Sequence, residues 1–265
     1  MPRRRTGPVV AILGGLGLAL LVLPLVGLVA RAPWNELPAL LGSDTVLQAL
    51  VLSLGTAAAS TVACLVLGIP LAVLLSHSVH WPVVPRRLLR AAVTVPMVLP
   101  PVIGGIALLL LLGRRGLLGP WLADLGLALP FTTPAVVIAQ TFVAMPFLVF
   151  AVEGALRSAD RCSEVAAASL GASRAQVFRL VTLPLVAPGI AAGAVLCFSR
   201  ALGEFGATIT FAGSFPGVTR TLPIASYLAM NSDPDTAIAL ALVLLAVSLV
   251  VLLALRDRWM PGVVR

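Results

Sequence analysis

Long apolar runs separated by short polar gaps make up most of this chain. Six runs reach the length of about 20 residues that a helix needs to cross a hydrocarbon core about 30 Å thick. They cover residues 9–30, 46–75, 88–112, 133–152, 185–205 and 236–255. A barrel would instead show short strands of alternating polarity. Because a helix satisfies its own backbone hydrogen bonds in lipid, the pattern predicts an all-α integral membrane protein with six transmembrane helices.

Prolines interrupt the third run. Pro96, Pro100 and Pro101 fall within less than two helical turns, so several backbone carbonyls lose their donors and the helix is expected to kink. Carbonyls freed at membrane depth need protein or water around them. A kink that serves packing and a kink that lines a pore both remain open.

The composition leads to the same class of protein. Hydrophobic residues make up 60% of the chain, charged residues only 11%, and the mean hydropathy is +1.09. A soluble globule would need far more polar surface than this.

The positive charge orients the bundle. All 18 basic residues are arginine, and they fall mostly in the gaps between apolar runs, which argues against a nucleic-acid partner despite the net charge of +8. One side receives thirteen of them, namely arginines 3, 4, 5, 86, 87, 90, 157, 161, 174, 179, 256, 258 and 265. The other side receives arginines 31, 114, 115 and 220. The positive-inside rule therefore predicts a multi-pass protein of the cytoplasmic (inner) membrane with both termini in the cytoplasm.

The basic start and the first apolar run could also be a secretory signal. This run is longer than the usual signal core of about 7 to 15 residues, which favours a retained first helix. A mature chain that began near Ala32 would lack this span.

A polar segment at residues 160–184 stands out between the fourth and fifth runs. Ser163 or Asp160 is expected to cap a short first helix, which Gly171 ends. Ser173 and Gln176 form a Ser-x-x-Gln capping box that predicts a second short helix. We expect Pro184 to close that second helix where the chain re-enters the membrane.

This segment resembles the cytoplasmic coupling motif of ATP-binding-cassette (ABC) importer permeases, often called the Glu-Ala-Ala loop. The shared features are the small residues, LGAS, an aromatic residue, and TLP followed by PG, with Gly171 thirteen residues before Pro184. The chain departs from the pattern at one position, because Val165 stands where the glutamate usually is and Glu164 precedes it. The resemblance implies that the segment couples to an ATPase through residues Glu164, Val165, Ala166, Ala167, Gly171, Ala172, Ser173, Phe178, Leu183 and Pro184. The alternative is an amphipathic loop that lies on the bilayer surface.

Further motifs resemble the molybdate and sulfate branch of these permeases. They are FSRALGEFGATITFAG at 198–213, TRTLPIASY at 219–227, IAQTFVAMPF at 138–147 and the proline-rich VPMVLPPVIGG. The resemblance implies the type I ABC importer permease fold over residues 44–255, preceded by a tail, helix and outer loop at 1–43 and followed by a short tail at 256–265. It also implies a homodimer, ATPase subunits at the cytoplasmic face, and a separate protein that delivers an oxyanion from outside. The implied work is import of molybdate by alternating access, with sulfate, thiosulfate or tungstate as alternatives.

The chain is not expected to be an enzyme or to hold a cofactor. Without lysine it cannot contain a Gly-Lys-Ser/Thr phosphate loop, so ATP hydrolysis is expected from a partner. His77 and His80 are three residues apart but lack a nearby third ligand, so no metal site is expected. An ion-coupled carrier or a channel is the rival class, although the paired broken helices of many carriers are not evident.

Arg200 and Glu204 form an opposite-charge pair deep within the fifth run. Four residues apart, they are expected on one helical face. They could form a structural ion pair, or Arg200 could attract a passing dianion while Glu204 moderates its charge. Thr208 and Thr210 are candidates for lining the outer part of the same path.

Overall fold

The computed structural model describes residues 8–159 and 161–259, and these ranges are built from helices. The helices are α1 (Pro8–Ala30), α2 (Leu37–Leu41), α3 (Asp44–His77), α4 (Val83–Val98), α5 (Pro101–Leu112), α6 (Gly119–Asp124), α7 (Thr133–Ser158), α8 (Arg161–Ser169), α9 (Arg174–Val177), α10 (Leu183–Leu202), α11 (Gly206–Ala212), α12 (Leu222–Ala229) and α13 (Pro234–Trp259). A π-helical turn, Phe178–Thr182, joins α9 to α10.

Among the described residues, five helices are long and apolar enough to cross a membrane singly. They are Val9–Ala30, Asp44–His80, Thr133–Ser158, Arg174–Leu202 and Pro234–Val251. Five of the six predicted spans are therefore confirmed as single helices. The fourth is longer than expected, since α7 continues to Ser158.

The predicted third span is two helices rather than one kinked helix. The axes of α4 and α5 are bent by 116° at the break between them, so the pair is either a broken span or a re-entrant loop. Leu99 and Pro100 are both extended there, with ψ of 134° and 132°. Two consecutive prolines restrict the preceding residues to extended conformations, and Pro101 then starts α5. The prediction of one kinked helix was therefore wrong, because the prolines end one helix and start another.

Pro184 does not close the second helix of the polar segment, so that prediction was wrong. The chain stays helical from Arg174 to Leu202. The Leu183 N–H donates to the Phe178 carbonyl, a wide i to i−5 bond, and Pro184 falls in the first turn after it. A proline there needs no amide hydrogen, so a widened turn absorbs it.

α7 forms the centre of the bundle and packs against α3 and α10. Small residues bring the backbones together: a Cβ on Gly193 would lie 2.8 Å from Leu148 Cδ1, and one on Gly189 would collide with Ala155 Cβ. Close backbone approach of this kind is how helices associate in lipid, where apolar burial alone supplies little drive.

Short helices complete the opposite end of the bundle from the polar segment. α11 packs against α5 and α7, and α12 packs against α3 and α13. The Leu222 N–H at the start of α12 donates to Ser53 Oγ on α3 at 2.7 Å. The helix α1, by contrast, has none of its span buried and packs against α13.

Candidate coupling segment and buried ion pairs

The polar segment folds into two short helices that meet at a glycine. α8 ends at Ser169, and Gly171 has a φ of +86° in the left-handed region that glycine adopts without strain. The Gly171 N–H donates to the Ala168 carbonyl at 3.0 Å, and the Ala172 N–H donates to the Ala167 carbonyl at 3.1 Å. The predicted end of the first helix is confirmed.

Its predicted start is only partly accounted for. α8 begins at Arg161, so Ser163 lies inside its first turn and does not cap it, because a cap residue must precede the helix. The other candidate, Asp160, lies outside the described residues.

The capping box at the second helix is confirmed. The Gln176 N–H donates to Ser173 Oγ at 3.4 Å, and the Ser173 N–H donates to Gln176 Oε1 at 2.8 Å. Both bonds satisfy amide groups that a helix start leaves without a partner. The helix that carries the rest of the fifth span therefore has a fixed beginning at Arg174.

Glu164 makes a contact that the sequence did not indicate. Thr182 Oγ1 donates to Glu164 Oε1 at 2.5 Å, and Thr182 is itself buried. Thr182 is the last residue of the π-helical turn, so this bond ties α8 to the start of the membrane part of α10. In the sequence, this threonine is visible only as the first residue of the TLP motif.

The other motif residues divide by exposure. Glu164, Ala167 and Ala172 are partly covered, whereas Val165 is 63% exposed. The remaining predicted coupling residues are exposed: Ala166, Gly171, Ser173, Phe178, Leu183 and Pro184. The segment thus has an inner side that holds it to α10 and an outer side that is uncovered.

A cleft of ≈ 850 Å³ separates the coupling segment from the ends of α3 and α7. His77, Arg157, Glu164, Arg174 and Phe178 are among its lining residues.

Next to this cleft, Glu153 of α7 binds two arginines. Its Oε1 lies 2.5 Å from Arg90 Nη2 on α4 and 2.8 Å from Arg157 Nη2 one turn further along α7. Glu153 is buried, whereas both arginine side chains are about half exposed. This cluster was not predicted from the sequence, although Glu153 and Arg157 at helical spacing indicate a pair.

At the other end of the bundle, Arg200 and Glu204 do pair. Arg200 Nη1 lies 2.7 Å from Glu204 Oε2, with side-chain exposures of 28% and 1%. The helix ends at Leu202, however, so Glu204 does not lie on one continuous helical face with Arg200. Gly203 ends α10, and Glu204 Oε1 accepts the Ala207 N–H at 2.9 Å, which caps the first turn of α11.

The two threonines sit differently from each other. Thr208 is fully buried where α11 packs against α5 and α7, and its hydroxyl makes no hydrogen bond within the described part of the chain. Thr210 is partly exposed, and its Oγ1 donates to the Gly206 carbonyl at 2.7 Å. In this conformation, Thr208 faces protein rather than an open surface.

Gln140 is a buried polar residue whose surroundings the sequence did not reveal. It lies on α7 and is fully buried, and neither atom of its amide group has a hydrogen-bond partner among the described residues. One residue later, Thr141 Oγ1 donates to Ser60 Oγ at 3.1 Å, which links α7 to α3.

Comparisons with known proteins agree with this architecture. Residues 65–261 match the family described as binding-protein-dependent transport system inner membrane component. The molybdenum transport system permease protein ModB of Mycobacterium tuberculosis is 50% identical over 242 residues, covering 91% of this chain and 90% of that protein. The protein of the same name from Escherichia coli is 38% identical, covering 84% and 96%. A probable molybdenum ABC transporter permease of Haloferax volcanii is 40% identical, covering 91% and 87%.

Solved structures share the fold at low identity. A bacterial ABC transporter involved in the import of the acidic polysaccharide alginate aligns with a TM-score of 0.72 at 19% identity, covering 97% of this chain and 96% of the other. The MetNI methionine ABC transporter, in an inward-facing conformation, aligns with a TM-score of 0.63 at 19% identity, covering 80% and 94%.

Proposed function

Because the chain belongs to the family of binding-protein-dependent transport system inner membrane components, we propose that it is the permease subunit of an ATP-driven importer of molybdate. The observation that carries the proposal is the 50% identity, over 91% of the chain, to a molybdenum transport permease. The folded coupling segment supports it independently of the substrate. A bilayer-surface loop would not need a glycine break, a complete capping box and an internal tie to a membrane helix.

The coupling segment is the proposed docking surface for an ATPase. Its exposed residues include Ala166 and Ser173, and Val165 and Phe178 are exposed at the wall of the cleft. Glu164 holds Thr182 at the start of α10. A partner that closes on ATP can bias two permease conformations only through contacts that differ between them. A push on α8 reaches α10 through the Glu164–Thr182 bond, so the segment can act as the lever of alternating access.

The proposal includes partners that the chain itself does not supply. In this proposal, ATP is hydrolysed by ABC subunits bound at the coupling segment, and that segment and both termini lie in the cytoplasm, as the positive-inside rule predicts. A substrate-binding protein delivers the oxyanion from outside, and a second copy of the chain completes the membrane domain. A bacterial alginate ABC transporter with the same fold has been solved in complex with an alginate pentasaccharide-bound periplasmic protein, which fits such an assembly.

The Arg200–Glu204 pair is proposed to lie beside the passage. Glu204 has a structural task, since it neutralises Arg200 and caps α11. Arg200 is partly exposed and retains donors that Glu204 does not use. Its charge is therefore offset rather than removed, which suits a site that an anion must enter and also leave. Thr210 is the better placed of the two threonines to reach the same passage.

Reconstitution tests the proposed function. The chain is co-expressed with its ATPase and reconstituted in liposomes. Molybdate transport is then measured in the presence of the binding protein. We expect ATP-dependent accumulation of molybdate, with hydrolysis stimulated by the loaded binding protein. Parallel assays with sulfate and tungstate show which tetrahedral dianion is carried. Uptake that proceeds without ATP, or a preparation that is active without an ATPase, would overturn the importer assignment.

A further inference from the structure

Glu153 binds one arginine more than its charge requires. The guanidinium groups of Arg90 and Arg157 both contact the same oxygen, Glu153 Oε1, at 2.5 and 2.8 Å. Two cations and one carboxylate leave this cluster with a net positive charge. A buried carboxylate needs a cationic partner, and either arginine alone would supply it. One of the two can therefore leave Glu153 without stranding its charge.

Arg157 belongs both to this cluster and to the wall of the cleft beside the coupling segment. About half of its side chain is exposed, and its contact with Glu153 is made through Nη2. A guanidinium group carries several N–H donors, so donors remain for a second acceptor. Arg157 is thus the member of the cluster that can interact across the cleft.

Glu164 lines the same cleft from the coupling segment. Its Oε1 atom accepts the hydrogen bond from Thr182, and its second carboxylate oxygen can accept another. Among the side chains that the structure describes, none forms an ion pair with Glu164. The α7 side of the cleft therefore carries a surplus of positive charge, and the α8 side carries a carboxylate that this surplus attracts.

Arg174 also lines the cleft, but it cannot link the segment to the bundle. It is the first residue of α9, so it belongs to the coupling segment, as Glu164 does. An ion pair between these two residues would stay within the segment. Arg157 lies on α7, so its distance from Glu164 depends on how the segment is placed against the bundle.

We propose that Arg157 forms an ion pair with Glu164 when the coupling segment moves toward the bundle, while Arg90 remains on Glu153. The exchange leaves neither carboxylate without a cation, so it avoids the cost of an orphaned charge. This inference rests on the proposed function, in which an ATPase pushes on the segment. It makes Arg157 a positioning residue, and it supplies a contact that differs between the two conformations, as coupling to ATP requires.

Disulfide trapping tests whether the two side chains approach each other. In a variant whose three native cysteines are replaced by serine, Arg157→Cys is combined with Glu164→Cys, and the transporter in liposomes is oxidised with copper phenanthroline. We expect the disulfide yield to be about fivefold higher with ATP and vanadate than without nucleotide, because the ATPase then pushes the segment toward α7. Equal yields in the two states would overturn the inference.

A second pair of cysteines controls for collisions that do not depend on the proposed contact. Ser169 is exposed at the end of α8, so Arg157→Cys with Ser169→Cys should give a low yield in both states. A yield that rises equally in both pairs would show that the segment approaches α7 without bringing Arg157 to Glu164 in particular, and the proposed ion pair would be wrong.

Neutral substitutions test whether the pair contributes to coupling. Glu164→Gln keeps an oxygen that can accept the Thr182 hydrogen bond. Arg157→Gln leaves Glu153 paired with Arg90. We expect the number of molybdate ions imported per ATP hydrolysed to fall about fivefold in each single variant, as the loss of a partly exposed ion pair implies. The double variant should fall no further, because both changes remove the same contact. Additive losses would show two independent effects and would overturn the pair.

Arg174→Gln is the matched control, because it removes the same charge from the wall of the same cleft. We expect it to keep the parent ratio of import to hydrolysis within about twofold. A fall equal to that of Arg157→Gln would show that the total charge of the cleft matters rather than this pair. A folding defect would lower import and hydrolysis together, so the ratio separates it from a loss of coupling.

The inference and the proposed function fail differently. If the parent protein imports molybdate with ATP and Arg157→Gln keeps the parent ratio, this inference is wrong and the proposed function stands. If the parent protein shows no ATP-dependent import, the proposed function fails and the inference fails with it.

Discussion

Two buried carboxylates, Glu153 and Glu204, hold opposite ends of the bundle in different ways. Glu153 forms ion pairs with Arg90 of α4 and with Arg157 of its own helix. The first of these pairs joins residues that are 63 positions apart in the sequence. Glu204 pairs with Arg200 one turn back and caps the helix that follows it. The first is a long-range clamp near the coupling segment, and the second is a local device beside the proposed passage.

The two ion pairs differ in whether the charge that remains after one member is substituted can be hydrated. The arginines around Glu153 are about half exposed and can be rehydrated, but α4 loses its clamp. Glu204 is almost completely buried, so its charge cannot be rehydrated if Arg200 is lost. Substitutions in the two ion pairs should therefore separate effects on architecture from effects on local charge.

The largest effect is expected from Arg200→Gln. It leaves a buried carboxylate without its cation, which costs about 3 to 5 kcal/mol in comparable buried pairs. We expect a marked fall in thermal stability in detergent. The double variant Arg200→Gln with Glu204→Gln should regain part of that loss, because it removes the orphaned charge. A double variant no more stable than the single one would contradict the picture of a buried, paired carboxylate.

Glu153→Gln is expected to come next. It removes the charge that holds Arg90 and Arg157 and should cost about 2 kcal/mol, since both arginines can turn to solvent. Thermal unfolding measures the loss, and a disulfide-trapping assay between α4 and α7 would report the loosened clamp. Glu36→Gln is the matched control, because Glu36 is exposed. Equal stability of these two variants would show that the clamp contributes nothing.

Thr182→Val should have a smaller effect on stability and a clearer one on coupling. The substitution keeps the shape but removes the donor to Glu164, at a cost of about 1 to 2 kcal/mol. We expect molybdate import per ATP to fall about threefold, because α8 is no longer tied to α10. In the control Ser169→Ala, the hydroxyl that is lost bonds only to the Val165 carbonyl within α8. An unchanged ratio in Thr182→Val would remove the lever.

The smallest effect is expected from Gly171→Ala. A Cβ there meets no atom within 4 Å, so only the positive φ is strained, at about 1 kcal/mol. Gly154→Ala in α7 has the same open surroundings but no positive φ, and it should be neutral or slightly stabilising. The difference between the thermal unfolding temperatures of the two variants measures the cost of the positive φ at position 171. Equal shifts in the two variants would contradict that cost.

The sequence predicted what local rules control. Span positions followed from run length, the end of α8 from Gly171, and the start of α9 from the Ser173–Gln176 capping box. These features depend on residues within a few positions of each other.

What the sequence could not predict depends on packing or on backbone geometry that several residues share. The 116° bend, the π-helical turn before Pro184 and the end of α10 at Leu202 each depend on how neighbouring turns share hydrogen bonds. The Arg90–Glu153 contact joins residues from different helices, and only the folded bundle brings them together.

We propose above that an ATPase docks on the coupling segment. The direct test is cross-linking from Val165→Cys, in the variant without native cysteines, to cysteines placed on the co-expressed ATPase. We expect a cross-linked pair whose yield changes with nucleotide, and none from Leu20→Cys on α1. If Val165→Cys never reaches the ATPase while ATP-driven molybdate import continues at the parent rate, the segment is not the docking surface.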